Sequence, residues 1–229
     1  MYMPVTYAGP IEDYKKLLNG VQLWDVGVER QVQIKGPDAE ALSQFLTFRN
    51  IKKCSVGQAM YTPLTDFQGG LLSDPVMLKI AEDCYWFSVS DGDILLWVQA
   101  IAAGYKFDVK VDEPDVSPLQ TQGPNSTKLM TKVFGDWVSS LPFYRFKEIT
   151  HKGIPMIIAR MGYSKELCYE IFLQDHTRGN ELWELLWEAG QDLNISPGGP
   201  NMILRLEGGI VSYLSDVNRT NNPFEVGFE

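Results

Sequence analysis

The stretch Ile154–Leu173, IPMIIARMGYSKELCYEIFL, decides how this chain is read. Met156, Ile157, Ile158 and Ala159 form an apolar run that predicts a strand buried on both faces. The chain then turns through Gly162, Tyr163, Ser164 and Lys165 and leaves as Tyr169-Glu170-Ile171-Phe172-Leu173. Glycine and serine between two strand-like runs predict a hairpin, because glycine admits positive φ. Glu170 is the anomaly: an acid flanked on both sides by apolar and aromatic residues. A carboxylate in such a strand is costly unless it meets water, a cation or hydrogen-bond donors. Two readings fit. One is an outward position on a half-exposed strand; the other is a carboxylate aimed into a pocket to hold an N–H-rich heterocycle.

The flanking segments predict an α+β body. Before the stretch, Tyr144–Ile149 reads as a strand; after it, GNELWELLWEAG predicts a helix with Leu182, Leu185, Leu186 and Ala189 inward. PNMILRLEGGI, opened by Pro200, predicts another helix, carrying Arg205 and Glu207. At the other end, PIEDYKKLLN (Pro10–Asn19) has acids early, lysines late and Ile11, Tyr14, Leu17 and Leu18 on one helical face. Val21–Ile34 alternates and predicts a single strand, and Gly36-Pro37-Asp38 opens the helix DAEALSQFLT. Further strands are predicted at Gln58–Leu64, Leu71–Ile80 and Tyr85–Val89, with Asp91 capping a helix through Ile94, Trp97, Val98 and Ile101.

An internal echo joins these pieces. QIKGPDAEALSQFL (from Gln33) and QTQGPNSTKLMTKVF (from Gln120) both run strand, Gly-Pro, amphipathic helix. The echo predicts two related halves, roughly 20–110 and 111–229; the alternative is a common local solution used twice.

Composition narrows the function. A formal charge of −9 over 229 residues argues against nucleic acid or an anionic membrane as the main partner. Three cysteines without metal-type spacing suggest a reducing compartment and no disulfide framework. With only two histidines, His151 and His176, a Ser-His-Asp, Cys-His or multi-His metal site is nearly excluded. No apolar run reaches membrane-spanning length, and the start is not a signal peptide. The last residues, NPFEVGFE, stop as if mid-protein, which predicts a fragment inclined to self-associate.

Three other features carry candidate chemistry. In TDFQGGLLSDPVMLKI, Gly69-Gly70 allow a close backbone approach, and Asp74 is either a strand-boundary residue or a site acid. Arg205, in the apolar turn MILRLEGG, either pairs with a neighbouring acid or meets an anionic or carbonyl-bearing ligand. The rings of Trp24, Tyr61, Phe67, Tyr163 and Tyr169 are core by default, but such faces also hold methylated cations.

WDVGVERQVQIKGPDA, GGLLSDPVMLK, EPDVSPLQTQGP, RMGYSKELCYEI, PNMILRLEGGIVSY and NNPFEVG, collinear over nearly the whole chain, resemble the aminomethyltransferase (glycine-cleavage T-protein) family. Within it they are most similar to the dimethylsulfoniopropionate demethylases. The resemblance implies two ferredoxin-like α+β halves forming a tetrahydrofolate-binding fold, with a C-terminal barrel-like domain lying outside this sequence. It implies a cytoplasmic methyltransferase that takes a methyl group from a small-molecule sulfonium donor, with a homodimer as one candidate assembly. An aminomethyl or N-methyl amine donor at the same folate site, or a folate-binding relative without turnover, remain the alternatives. Carried over by motif, Asp74 is the acid near the reacting nitrogen of folate. Tyr163 and Glu170 pack against and hydrogen-bond the pterin, and Arg205 is the arginine of the folate site. Trp24 and Tyr163 are the candidate faces for the donor cation; no metal is implied. Leu167 and Cys168 depart from the family's usual glycine pair, Gly199-Pro200-Asn201 stands for Cys-Pro-Asn, and Leu214-Ser215 stands for Gly-Asn.

Overall fold

The structure, a computed structural model, describes Pro4 and residues 6–228. In chain order the elements are α1 (Pro10–Asn19), β1 (Val21–Asp25), β2 (Arg30–Lys35), α2 (Ala39–Phe45), β3 (Gln58–Tyr61), β4 (Leu64–Thr65), β5 (Leu71–Ser73), β6 (Val76–Ala81) and β7 (Cys84–Val89). There follow α3 (Leu95–Tyr105), β8 (Lys110–Asp112), β9 (Ser117–Gln122), α4 (Ser126–Phe134), β10 (Phe146–His151), β11 (Ile154–Ala159), β12 (Cys168–Leu173), α5 (Gly179–Ala189), β13 (Ile195–Gly198) and α6 (Met202–Glu207).

The chain forms two compact units, and neither is continuous. Met1–Val28 joins Asp115–Ile210, while Glu29–Pro114 joins Val211–Glu229. The halves expected at 20–110 and 111–229 are therefore exchanged at their ends. The cause is strand pairing. Val21–Ile34 is not one strand but two, because the chain turns after Asp25 and sends β1 and β2 into different sheets. At the other end, the segment from Val211 is fastened to the 66–73 turn. Tyr213 Oη donates to Leu71 O (3.0 Å), Leu71 N–H to Asn221 O (3.0 Å) and Arg219 Nε to Asp66 Oδ2 (2.7 Å).

Each unit is ferredoxin-like. In the second unit β2-α2-β6-β7-α3-β8 is a β-α-β-β-α-β run, and its sheet has the order β3-β6-β7-β2-β8. The first unit repeats it as β9-α4-β11-β12-α5-β13, with the order β10-β11-β12-β9-β1-β13. Its one difference is β1, inserted between the first and last strands of the motif, antiparallel to β9 and parallel to β13. The Gly-Pro echo is thus structural. Gly36 and Gly123 have φ of 144° and 120°, and an added Cβ would lie 2.6 Å from a backbone oxygen at both, Asp108 O and Gly20 O. In both turns the residue after the proline donates its N–H to that same oxygen: Asp38 to Asp108 and Asn125 to Gly20. Only glycine fits a turn this close to a neighbouring backbone.

Helix faces make the two cores. α2 and α3 cover Val32, Ile34, Met77, Tyr85 and Phe87 in the second unit. α4 and α5 cover Leu23, Leu119, Met156, Ile158, Tyr169 and Ile171 in the first. Leu182 and Leu186 of α5 are buried as expected. In α1 Leu17 is buried but Ile11 is exposed, so the inward stripe is narrower than expected. Asp91 does not cap α3. Asp93, two residues before the first helical residue, accepts the N–H of Leu95 (3.0 Å), whereas Asp91 uses its carbonyl to receive Ser73 Oγ (3.2 Å).

Leu214 holds a backbone conformation that favours glycine. Its φ is +69°, held by donation of its N–H to Val217 O (2.7 Å), and its side chain is exposed. A leucine in this region is strained by its Cβ, so Leu214→Gly should raise stability by about 0.5–1 kcal/mol. Chemical denaturation reads this directly; a lower midpoint would refute the strain.

Candidate functional site: a buried polar face carrying Glu170

The sheet of the first unit has a second face, opposite α4 and α5. Side chains alternate along a strand, so Tyr169, Ile171 and Leu173 of β12 go to the helices and Cys168, Glu170 and Phe172 to the other side. Register then builds the site. One rung across the sheet reads Ser196, Gln22, Gln122, Cys168; the next reads Gly198, Trp24, Gln120, Glu170, Ala159. Four of these nine are amide or carboxylate residues, and all four are buried. Glu170 is only 4% exposed, so the half-exposed reading is excluded.

The amides and the indole of this face are hydrogen-bonded, whereas the Ser196 hydroxyl is buried with no partner among the described residues. Trp24 Nε1 donates to Gln22 Oε1 (2.9 Å), and Gln22 Nε2 donates to Asp13 O in α1 (2.9 Å). Gln122 Nε2 donates to Gln120 Oε1 (2.9 Å), and Gln120 Nε2 donates to Glu170 Oε1. Cys168, on the same face, has its thiol pushed up to about 12 by burial and by the negative charge of Glu170. Gly162 makes room for it: a Cβ there would lie 2.7 Å from Cys168 Cβ.

The remaining expected residues lie as follows. Tyr163, half-buried, packs on the cluster of Leu17, Trp24, Val26 and Leu204. Arg205, buried in α6, donates through Nη1 to Ile210 O (3.0 Å) and through Nε to Met202 Sδ (3.4 Å). α6 is started by Asn201, whose Oδ1 accepts the N–H groups of Ile203 (3.0 Å) and Leu204 (3.2 Å). Beside it Lys165 pairs with Glu207 (2.5 Å), which also accepts from Tyr14 Oη (3.1 Å). Trp24, expected as a face for a cation, is instead wholly buried between α1 and α6 residues with its N–H on Gln22. Its indole is packing, because both faces are covered.

Asp74 belongs to the second unit, between β5 and β6. Burial raises its carboxyl to about 7, opposed by donation from Tyr61 Oη (3.0 Å) and reinforced by the charge of Asp91. A carboxyl at this value changes protonation around neutrality, which is where general acid–base groups work. Tyr61 thus serves Asp74, and Tyr169, with its hydroxyl at Thr127 (3.2 Å), is core. Gln120, Gln122 and Ser164 escaped the sequence reading. The available signal was Gln-x-Gln in a strand, two amides on one face. Among the described residues no helix is long and apolar enough to cross a membrane.

Two ferredoxin-like units, one with a buried carboxylate-bearing face, define the class to which comparison assigns the chain. Residues 1–229 match the family described as GCVT N-terminal domain, and the chain belongs to that family. It is similar to dimethylsulfoniopropionate demethylase DmdA of Ruegeria pomeroyi, 42% identical over 227 residues, covering 99% of this chain and 62% of that protein. It is also similar to an aminomethyltransferase of Halothermothrix orenii, 34% identical, covering 98% of this chain and 64% of the other. Among solved structures, the glycine cleavage system aminomethyltransferase T of Bartonella henselae superposes with a TM-score of 0.85 at 22% identity, covering 96% of this chain and 60% of that one. The chain thus spans a little under two thirds of the length of these relatives.

Proposed function

We propose that this chain is the folate-binding part of a cytoplasmic tetrahydrofolate-dependent methyltransferase whose donor is a sulfonium such as dimethylsulfoniopropionate. The observation that carries the reading is Glu170, a buried carboxylate held as an acceptor among amides. A pterin fits this chemistry, because its ring presents several N–H donors to an acceptor that has already lost its water. The identity to a dimethylsulfoniopropionate demethylase supports the sulfonium donor.

Bound tetrahydrofolate supplies N5 as the methyl acceptor. Glu170 would accept the pterin N–H groups, Tyr163 would pack its ring on the heterocycle, and Arg205 would present its guanidinium to an acceptor of the folate. As the methyl bonds to N5 its bond to sulfur breaks, the thioether leaves neutral without a strong general acid, and the proton on N5 is lost to solvent, which suits a chain with two histidines. The residues then act by alignment and by excluding water from the cation. Three buried thiols suit a reducing compartment.

A second reading keeps the folate site and changes the donor to an aminomethyl or N-methyl amine. It is favoured by the near-neutral carboxyl of Asp74, since an amine leaving group needs a proton. Incubation of the chain with tetrahydrofolate and dimethylsulfoniopropionate, with mass-spectrometric detection of 5-methyltetrahydrofolate, tests the first reading. Product above a no-protein control is expected. Product only from an amine donor would transfer the assignment to the second, and folate binding without product from either donor would leave a non-catalytic binder.

A further inference from the structure

The amides beside Glu170 are ordered by their ends. The Glu166 N–H donates to Ser164 Oγ (3.2 Å), and the Ser164 hydroxyl donates to Gln122 Oε1 (2.6 Å). Gln122 Nε2 donates a hydrogen bond to Gln120 Oε1 (2.9 Å), and Gln120 Nε2 donates one to Glu170 Oε1. A carboxylate can only accept, so the link to Glu170 points one way, and each amide repeats that direction back to the Ser164 hydroxyl. Reversal would set the Gln120 carbonyl against a Glu170 oxygen, and that oxygen would then need a proton. Ser164, Gln122, Gln120 and Glu170 are all buried, so water does not compete for these bonds. Gly162 is part of the arrangement: a side chain there would strike the Gln122 amide.

We propose that Gln120, Gln122 and Ser164 are positioning residues. They form a directional hydrogen-bond chain that holds the Glu170 carboxylate as an acceptor and sets it together with the 160–167 connection that carries Tyr163. The inference rests on the folate reading for what Glu170 receives, but the chain itself is present without ligand. Its use is specificity: an aligned carboxylate accepts from a ring with N–H donors and rejects one without them.

The test uses the 229-residue chain and the near-isosteric variant Gln120→Met, with Ser164→Ala as the milder change should the first fail to fold. Gln120→Met should weaken tetrahydrofolate binding roughly tenfold or more, the range for a bond that ends on a charge, and Ser164→Ala about threefold, the range for a bond between neutral groups. Both should alter affinity less for 2-desamino-2-methyltetrahydrofolate, which lacks the exocyclic amino donor and keeps only the ring N–H. A general structural defect would weaken both ligands equally and would overturn the proposal. In the Glu170→Gln background Gln120→Met should cost little more, whereas full additivity would count against it. A ligand-free measurement separates this from the folate reading. Ser164→Ala should shift the side-chain amide resonances of Gln120 as well as Gln122, and unchanged Gln120 signals would refute the chain. Absence of tetrahydrofolate binding by the parent protein would instead reject the folate reading alone.

Discussion

Replacing Glu170 with glutamine should lower tetrahydrofolate affinity about 30–100-fold, the loss expected when a charge-assisted acceptor becomes neutral. The same change should leave the ligand-free fold intact or slightly more stable. Glutamine has nearly the volume of glutamate, and its carbonyl can still receive the Gln120 amide that now ends on Glu170 Oε1. A neutral amide also avoids the cost of keeping a charge on a face where Gln22, Gln120, Gln122 and Trp24 are all buried. A residue kept for packing would show the opposite pairing, with stability falling and affinity following it. Titration calorimetry beside a thermal melt measures both quantities. Unchanged affinity would remove Glu170 from the folate site, and a large drop in melting temperature would make its role structural.

Asp74 gives the second large effect, and here the sign of the pH dependence is the diagnostic. Its carboxyl rises from an ordinary 3.8 to about 7, chiefly through burial, with the Asp91 charge adding to it. Below about pH 4 it is protonated in both folded and unfolded chains and contributes no slope. Between pH 4 and 7 the unfolded chain loses the proton while the folded chain retains it, so stability falls as pH rises. Above pH 7 the full penalty is present, about 2–4 kcal/mol from the size of the shift. Asp74→Asn should remove that slope. The variant should match the parent near pH 4 and exceed it by about that amount at pH 8, because the asparagine carbonyl still accepts from Tyr61. Urea midpoints across the range test this; parallel curves would mean that Asp74 is ionised in both states. The same variant discriminates the donors. With an amine donor its rate should fall steeply, and with a sulfonium it should not.

Much of the fold could be read locally. Met156–Ala159 and Tyr169–Leu173 are strands because apolar β-formers cannot be left in water. The two Gly-Pro turns are legible because no other residue tolerates their φ with a carbonyl so near. The site residues divide by the same criterion. Glu170 declares itself, since an acid between apolar neighbours needs a reason; its supporting amides do not, because glutamine in a strand is unremarkable until its partners are known.

Tertiary structure decided the rest. Val21–Ile34 alternates throughout, yet it feeds two sheets, because alternation specifies a face and not a partner. Trp24 has the composition of a cation-binding ring, but Leu17 and Leu204 cover it, and Gln22 takes its N–H. Asp74 became a near-neutral acid only through burial, which outweighs the hydrogen bond from Tyr61 and is reinforced by the charge of Asp91. The sequence by itself determined the strands, the turns and the one out-of-place carboxylate, since those follow from local sterics and hydrophobicity. Only strand register placed Gln120 and Gln122 beside Glu170, because a hydrogen bond between distant residues exists once long-range pairing has fixed both backbones.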